Sequence, residues 1–238
     1  MKAFPRLLLV LALGAVPPEG VWAKSVKTPV VVELFTAQGC ASCKQANSLV
    51  AKIAERPGVI ALTWAVDYWD YLGWRDTFAM PDFAARQKAY VHRLGPTDVY
   101  TPQVVIDGVG QVSGDDSAGV ESMIKGAQLP QKGRPKILFL KDGGVRLSAD
   151  HVSGGRADVW LVRFNPKEQD VEVKAGDNRG ATVVHRNVVR QIVRLGAWNG
   201  HAVHFTPPAP PEEGLASAVI VQRPHEGAIL AAAEFRPR

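Results

Sequence analysis

The chain has 238 residues, 46% of them hydrophobic and 21% charged, and carries 28 basic against 23 acidic side chains for a formal net charge of +5. The excess is mild and scattered, with no basic run and no basic–aromatic patch of the kind that grips nucleic acid, so nucleic-acid binding is not expected. A chain of this length can bury one large core or two modest ones.

Met1 to Ala23 reads as a secretory signal: Lys2 and Arg6 give a positive start, Leu7 to Val16 an apolar centre, and Val21-Trp22-Ala23 a small-residue cleavage site. The apolar run is short of the roughly 20 residues a bilayer crossing needs, and no later segment approaches that length. An N-terminal anchor retained uncleaved is the alternative. No cysteine follows the cleavage site, which argues against lipid attachment there. The expectation is an exported, soluble mature chain, periplasmic or secreted, with no stable membrane span after cleavage, in a compartment where disulfides persist. Loss of Lys2, Arg6 and Glu19 with the signal leaves 26 basic against 22 acidic residues, a formal +4.

Pro29 to Phe35 is valine-rich and reads as a buried strand. Ala41 to Glu55 follows with helical spacing of Leu49, Val50 and Ile53, and Val59 to Val66 is a second β-branched run. Pro81-Asp82 opens a helix through Arg93 with Phe83, Gln87, Tyr90 and Val91 near one face and Gly95-Pro96 as its stop. Pro102 to Asp107 and Gln111 to Ser113 form a hairpin around Gly108, and Asp115 or Asp116 caps a last helix through Ala127. This order predicts an α/β domain with a mixed sheet over residues 24–130, after a signal peptide at 1–23.

From Leu129-Pro130 onward the texture changes to short strands with turns: 137–140, 145–148, 157–164, 171–174, 181–195, 202–206, 216–222 and 228–235. Such regular spacing predicts a β-rich, sandwich-like C-terminal domain at 131–238. The proline tract at 207–211 reads as an extended loop within it, and Arg186, Arg190 and Arg194 read as solvated.

The two cysteines, Cys40 and Cys43, are the only ones in the chain and lie one helical turn apart. A disulfide across a loop this short adds only about 2 kcal/mol of chain-entropy stabilisation, so a staple would more usefully join distant segments. Redox use, a plain structural bridge and metal binding all remain open for such a pair. If Ala41 begins the helix, Cys40 sits at its N-terminal cap, where backbone N–H groups and the helix dipole favour thiolate. Cys40 is then the attacking nucleophile, and Cys43 lies further inward, placed to resolve a mixed disulfide. Asp67 to Asp76 packs four aromatics and three acids into ten residues, and Tyr68 and Trp69 there are candidates to wall the site and contact substrate.

A strand followed by Cys-x-x-Cys at a helix start resembles the redox site of thioredoxin-like proteins, as does the proline opening the strand at Tyr100-Thr101-Pro102-Gln103. The resemblance covers roughly residues 28 to 128, with an insertion around residues 67 to 95. It implies a cis Thr101–Pro102 bond beside the disulfide, with Thr101 and Pro102 holding the substrate strand. It also implies that an acid beneath the disulfide helps deprotonate the resolving thiol. Glu33, a lone acid in the valine-rich strand, is the candidate for that role. Over nearly the full mature length, the segments Val32 to Cys40, Asn178-Arg179-Gly180, His185 to Arg190 and Leu195 to Trp198 resemble an exported, thioredoxin-like family known as domain of unknown function family 1223.

The expected activity is that of a periplasmic thiol-disulfide oxidoreductase acting on a disulfide-containing protein or a small thiol, re-set by an unidentified redox partner. No cofactor is implied, since the electrons reside in the dithiol. Two alternatives stay open: a copper or zinc binding protein using the same cysteines with a histidine such as His92, and a binding module with a structural disulfide.

Overall fold

A computed structural model describes residues 28–127, 134–151, 155–210 and 212–237. The signal segment at 1–23 lies outside the described residues, and so do the positions immediately around the boundary near residue 130.

Strand β1 (Val30–Thr36) is the valine run, and nearly all of it is buried on both faces. It pairs parallel with β2 (Val59–Ala65) and antiparallel with β3 (Gln103–Ile106), which pairs antiparallel with β4 (Gly110–Ser113). Helix α1 (Cys43–Ile53) buries Cys43, Ala46, Asn47, Val50 and Ile53, a stripe at helical spacing. Helix α2 (Pro81–Leu94) starts on a proline, whose missing N–H has no partner to lose there, and stops at Gly95 with φ 90°. Helix α3 (Ser117–Gly126) is capped by Asp116, whose Oδ1 accepts the Gly119 N–H at 2.9 Å.

The second half supplies β5 (Ile137–Phe139), β6 (Val145–Leu147), β7 (Ala157–Asn165), β8 (Gln169–Glu172), β9 (Thr182–His185), β10 (Val188–Trp198), β11 (Val203–Phe205), β12 (Ala216–Gln222) and β13 (Ile229–Phe235). Four of these extend the first half's sheet into one mixed, eight-stranded sheet of order β13-β12-β7-β10-β2-β1-β3-β4. The seam is the parallel contact of Val188 with Thr63. The sandwich expected for residues 131–238 is thus realised in a different form. A three-stranded sheet, β11-β6-β5, lays Val145 and Leu147 against Val159, Leu161, Val219 and Val221 of the large sheet, and the hairpin β8–β9 forms a sheet of its own with β9 against α1.

The single strand expected over 181–195 is broken into β9 and β10. Asn187 sits between them at φ 53°, a region open to asparagine at little cost. It is completely buried, and it ties into the edge of β2: its Nδ2 donates to the Ala61 carbonyl at 2.7 Å and its carbonyl accepts the Thr63 N–H at 3.0 Å. In β10 the pairing with β7 shifts between Val189 and Gln191 and again between Arg194 and Gly196, so Arg190 and Leu195 are bulge residues. This explains the imperfect alternation there. Arg190 and Arg194 are exposed and Arg186 is half-buried, and each of the three has a partner. Arg186 pairs with Glu55 at 3.0 Å, Arg194 pairs with Asp158 at 2.6 Å, and Arg190 lies over the Phe78 ring.

Candidate functional site

Because β1 and β2 run parallel, their carboxyl ends meet on one side of the sheet, where the Val66 N–H donates to the Thr36 carbonyl at 2.9 Å. From Thr36 the chain turns through Ala37–Ser42 into α1, and Cys40 and Cys43 are disulfide-bonded with a Cα–Cα distance of 5.4 Å. The helix begins at Cys43 rather than at Ala41. Ala41 and Ser42 instead close a turn in which the Cys43 N–H donates to the Cys40 carbonyl at 3.2 Å. Ser42 makes no side-chain cap, and its Oγ lies 3.5 Å from the Cys40 Sγ. Cys40 therefore precedes the helix by a turn but still faces its positive end. It is 3% exposed, whereas Cys43 is fully buried.

The loop before Cys40 is gripped from two sides. On one side Asp76 Oδ2 accepts the Gln38 N–H at 2.7 Å, the Gln38 Nε2 donates to Thr77 Oγ1 at 2.8 Å, and Trp74 Nε1 donates to Gln38 Oε1 at 2.9 Å. Burial pushes the Asp76 carboxyl up to about 6, against the pull of the Gln38 and Phe78 N–H groups it accepts. On the other side Asn178, from the loop between β8 and β9, donates through Nδ2 to the carbonyls of Gln38 at 2.9 Å and Cys40 at 2.7 Å.

The Thr101–Pro102 peptide bond is cis. The Pro102 carbonyl accepts the Gly114 N–H at 2.8 Å, and a Cβ on Gly114 would come within 2.9 Å of both Ala46 and Pro102 Cβ atoms. Only glycine lets these three meet, and Ala46 lies one turn after Cys43, so Pro102 packs near the cysteine end of α1. Trp69 spans the same region: its Nε1 donates to Thr101 Oγ1 at 2.8 Å, and its Cβ lies 3.9 Å from where a Gly39 Cβ would stand. Its ring stacks on Tyr71, which is 77% exposed. Tyr68 donates its hydroxyl to Gln87 Oε1 at 3.1 Å, and burial pushes its phenol up to about 12, so it stays a neutral donor. Gln87 in turn donates to the Tyr100 carbonyl at 2.7 Å, so α2 sets the backbone leading into Thr101. Cys40, Cys43, Tyr68 and Trp69 pack in or against one apolar cluster.

Glu33 is fully buried, and its hydrogen-bond partners lie on α2. Arg86 donates Nε to Oε1 at 2.7 Å and Nη2 to Oε2 at 3.1 Å, and the Tyr90 hydroxyl donates to Oε2. Gln222 closes the network, accepting from Arg86 Nη2 at 3.1 Å and donating to the Tyr90 oxygen at 2.8 Å.

Sequence reasoning passed over Arg86, Gln38, Asp76 and Asn178. Arg86 could have been found, since it lies three residues after Phe83 and four before Tyr90 on the buried face of α2. Asn178 was noticed only as part of a family motif, and nothing in sequence places it on a loop 138 residues away. Among the described residues no group of three or more His, Cys, Asp or Glu side chains is arranged to hold a metal ion. His92 is exposed on α2.

A family model described as "Protein of unknown function (DUF1223)" matches residues 31–222. The chain belongs to this family. The DUF1223 match runs from β1 to the end of β12 and so takes in both halves of the large sheet. No curated protein matches the sequence. Among solved structures the DUF1223 chain is similar to protein AGR_C_4864 from Agrobacterium tumefaciens, at 29% identity and a TM-score of 0.71, covering 89% of this chain and 96% of that one. It is also similar in fold to HBP35 of Porphyromonas gingivalis, at 15% identity and a TM-score of 0.58, covering 89% of this chain and 76% of that one.

Proposed function

We propose that this DUF1223 protein is an exported, thioredoxin-like thiol-disulfide oxidoreductase. Residues 24–130 form its redox unit and 131–238 a β-rich extension sharing its sheet. The observation that carries the proposal is the placement of the only cysteine pair: a four-residue disulfide loop at the carboxyl ends of two parallel strands, against the start of α1 and near Pro102. Such a loop contributes little as a staple.

In the oxidising direction a substrate thiolate attacks Cys40 Sγ, the Cys40–Cys43 bond breaks, and Cys43 leaves as thiolate and takes up a proton. A second substrate thiolate then attacks the substrate sulfur of the mixed disulfide and Cys40 leaves. The substrate loses two electrons and two protons and the cysteine pair gains them; reduction is the reverse. Cys40 is assigned as the attacked sulfur because it precedes the helix and is the less completely buried residue, at 3% exposed against 0% for Cys43. Thr101 and Pro102, with Tyr68 and Trp69 as the wall, would receive the substrate. The redox partner that re-sets the pair is a further thiol or disulfide compound.

The test uses purified mature protein. Cys43→Ser is expected to trap mixed disulfides with substrate while Cys40→Ser does not, and the reverse pattern would overturn the assignment. Equilibration with glutathione is expected to give a reversible two-electron couple between roughly −120 and −270 mV, whereas a value below about −300 mV would mark a structural bridge.

A further inference from the structure

Asn178 belongs to the C-terminal half of the chain, yet its one amide nitrogen donates to two carbonyls of the cysteine loop, Gln38 at 2.9 Å and Cys40 at 2.7 Å. It is 7% exposed, and the loop carrying it is tied to itself by four backbone bonds: Val173 N–H to Ala181 O at 3.0 Å, Gly180 N–H to Val173 O at 2.8 Å, Arg179 N–H to Gly176 O at 3.1 Å and Ala181 N–H to Asn178 O at 2.9 Å. Gly176, at φ 75°, brings that loop against the cysteine loop, where an added Cβ would lie 3.7 Å from the Gly39 Cα. Asn178 therefore stands on a fixed platform and not on a free strap.

We infer that Asn178 is a positioning residue through which the C-terminal half sets the reactivity of Cys40. The inference rests on the redox reading of the cysteine pair given above. The Cys40 carbonyl has two donors, Asn178 Nδ2 at 2.7 Å and the Cys43 N–H at 3.2 Å, and the first is much the shorter. When the disulfide opens, a thiolate on Cys40 needs N–H groups from the start of α1. With its carbonyl held by Asn178, Cys40 can release the Cys43 N–H to its own sulfur. Without Asn178 a buried carbonyl must keep that N–H, because leaving it unpaired costs about 1–3 kcal/mol. The amide hydrogens also oppose the negative ends of two carbonyl dipoles close to the sulfur. Both effects stabilise thiolate, and stabilising the reduced form makes the couple more oxidising. Asparagine suits the post because it offers two hydrogens on one uncharged nitrogen, whereas aspartate, of the same shape, would face two carbonyls with acceptors only.

The test compares full mature wild-type protein with Asn178→Ala and Asn178→Asp, reading the Cys40 titration by ultraviolet thiolate absorbance and the equilibrium with glutathione. The alanine variant is expected to raise the titration midpoint by about one pH unit and to shift the glutathione equilibrium about tenfold toward the disulfide, with aspartate shifting both further. In the wild-type protein alone, the Cys43 amide proton resonance is expected to move with the same midpoint as the thiol. A folded variant with wild-type midpoint and equilibrium overturns the proposal, and so does a Cys43 amide resonance that stays flat through the titration. A wild-type protein with no reversible couple at all sinks the redox reading instead.

Discussion

Among the polar contacts between the C-terminal half and the first half, two are built on opposite principles. At the cysteine loop, Asn178 offers a neutral amide to the carbonyls of Gln38 and Cys40. At the sheet, Gln222 joins Arg86, Glu33 and Tyr90, all nearly or fully buried, around an ion pair. A neutral hydrogen bond contributes on the order of 0.5–1.5 kcal/mol and can be adjusted in small steps. A buried ion pair is close to all-or-none, because either partner left alone is an uncompensated charge.

The largest expected effect tests the charged contact. Arg86→Met leaves Glu33 buried with Tyr90 as its donor and is expected to cost about 3–5 kcal/mol in denaturant unfolding, with the disulfide equilibrium unmoved. Glu33→Gln strands Arg86 in the same way and is expected to lose stability. If it instead slows resolution of the mixed disulfide in a protein of wild-type stability, the expected proton-relay role of Glu33 is supported and the contrast between the two contacts fails.

Next in size is a pH effect on the clamp opposite Asn178. Asp76 ionises at about 6 in the fold, raised chiefly by burial, against 3.8 ordinarily. An acid whose folded value is raised binds more protons in the native state, so stability falls as pH rises from about 4 to about 6 and is level above, a span of about 3 kcal/mol. Asp107, also pushed to about 6 by burial, acts in the same sense. His185, which burial depresses to about 4, acts in the opposite sense between about 4 and 6.5. The measurement is therefore the difference between wild type and Asp76→Asn in unfolding free energy at pH 4 and pH 7. Wild type is expected to lose about 3 kcal/mol relative to the variant across that interval, and parallel curves would remove Asp76 as a titrating clamp.

Much of the fold was legible because its signals are local. The valine run of β1, the proline and glycine that bracket α2, and the Asp116 cap each specify an element within a few residues. Where a strand was misjudged, the cause lay elsewhere in the chain: Asn187 breaks 181–195 by bonding to Ala61 and Thr63, and the bulges at Arg190 and Leu195 exist only against β7. That the C-terminal strands join the first half's sheet was hidden for the same reason. β10 carries a strand's pattern whether its neighbour is another C-terminal strand or β2, and only the Val188–Thr63 contact decides. The cysteines and Pro102 were visible as residue types at telling spacings. Their supports were not, because a glutamine, an asparagine and a glycine acquire meaning only from what they touch.

The smallest effect expected is at Trp69, and it separates holding the fold from holding the substrate. Trp69→Phe keeps an aromatic ring in the apolar cluster and removes the Nε1 donor to Thr101 Oγ1. The loss of one half-exposed hydrogen bond is worth about 0.5–1.5 kcal/mol, a small drop in unfolding free energy. Under the proposed function a substrate strand lies against Thr101, so the freedom of Thr101 matters more to that strand than to the core. Disulfide exchange with a peptide substrate is expected to slow several-fold in the variant, while exchange with glutathione, which needs no strand pairing, stays near wild type. Equal slowing for both substrates would mean that Trp69 acts on the sulfur through Gly39, and the aromatic wall would then belong with Asn178 as part of the thiolate's surroundings.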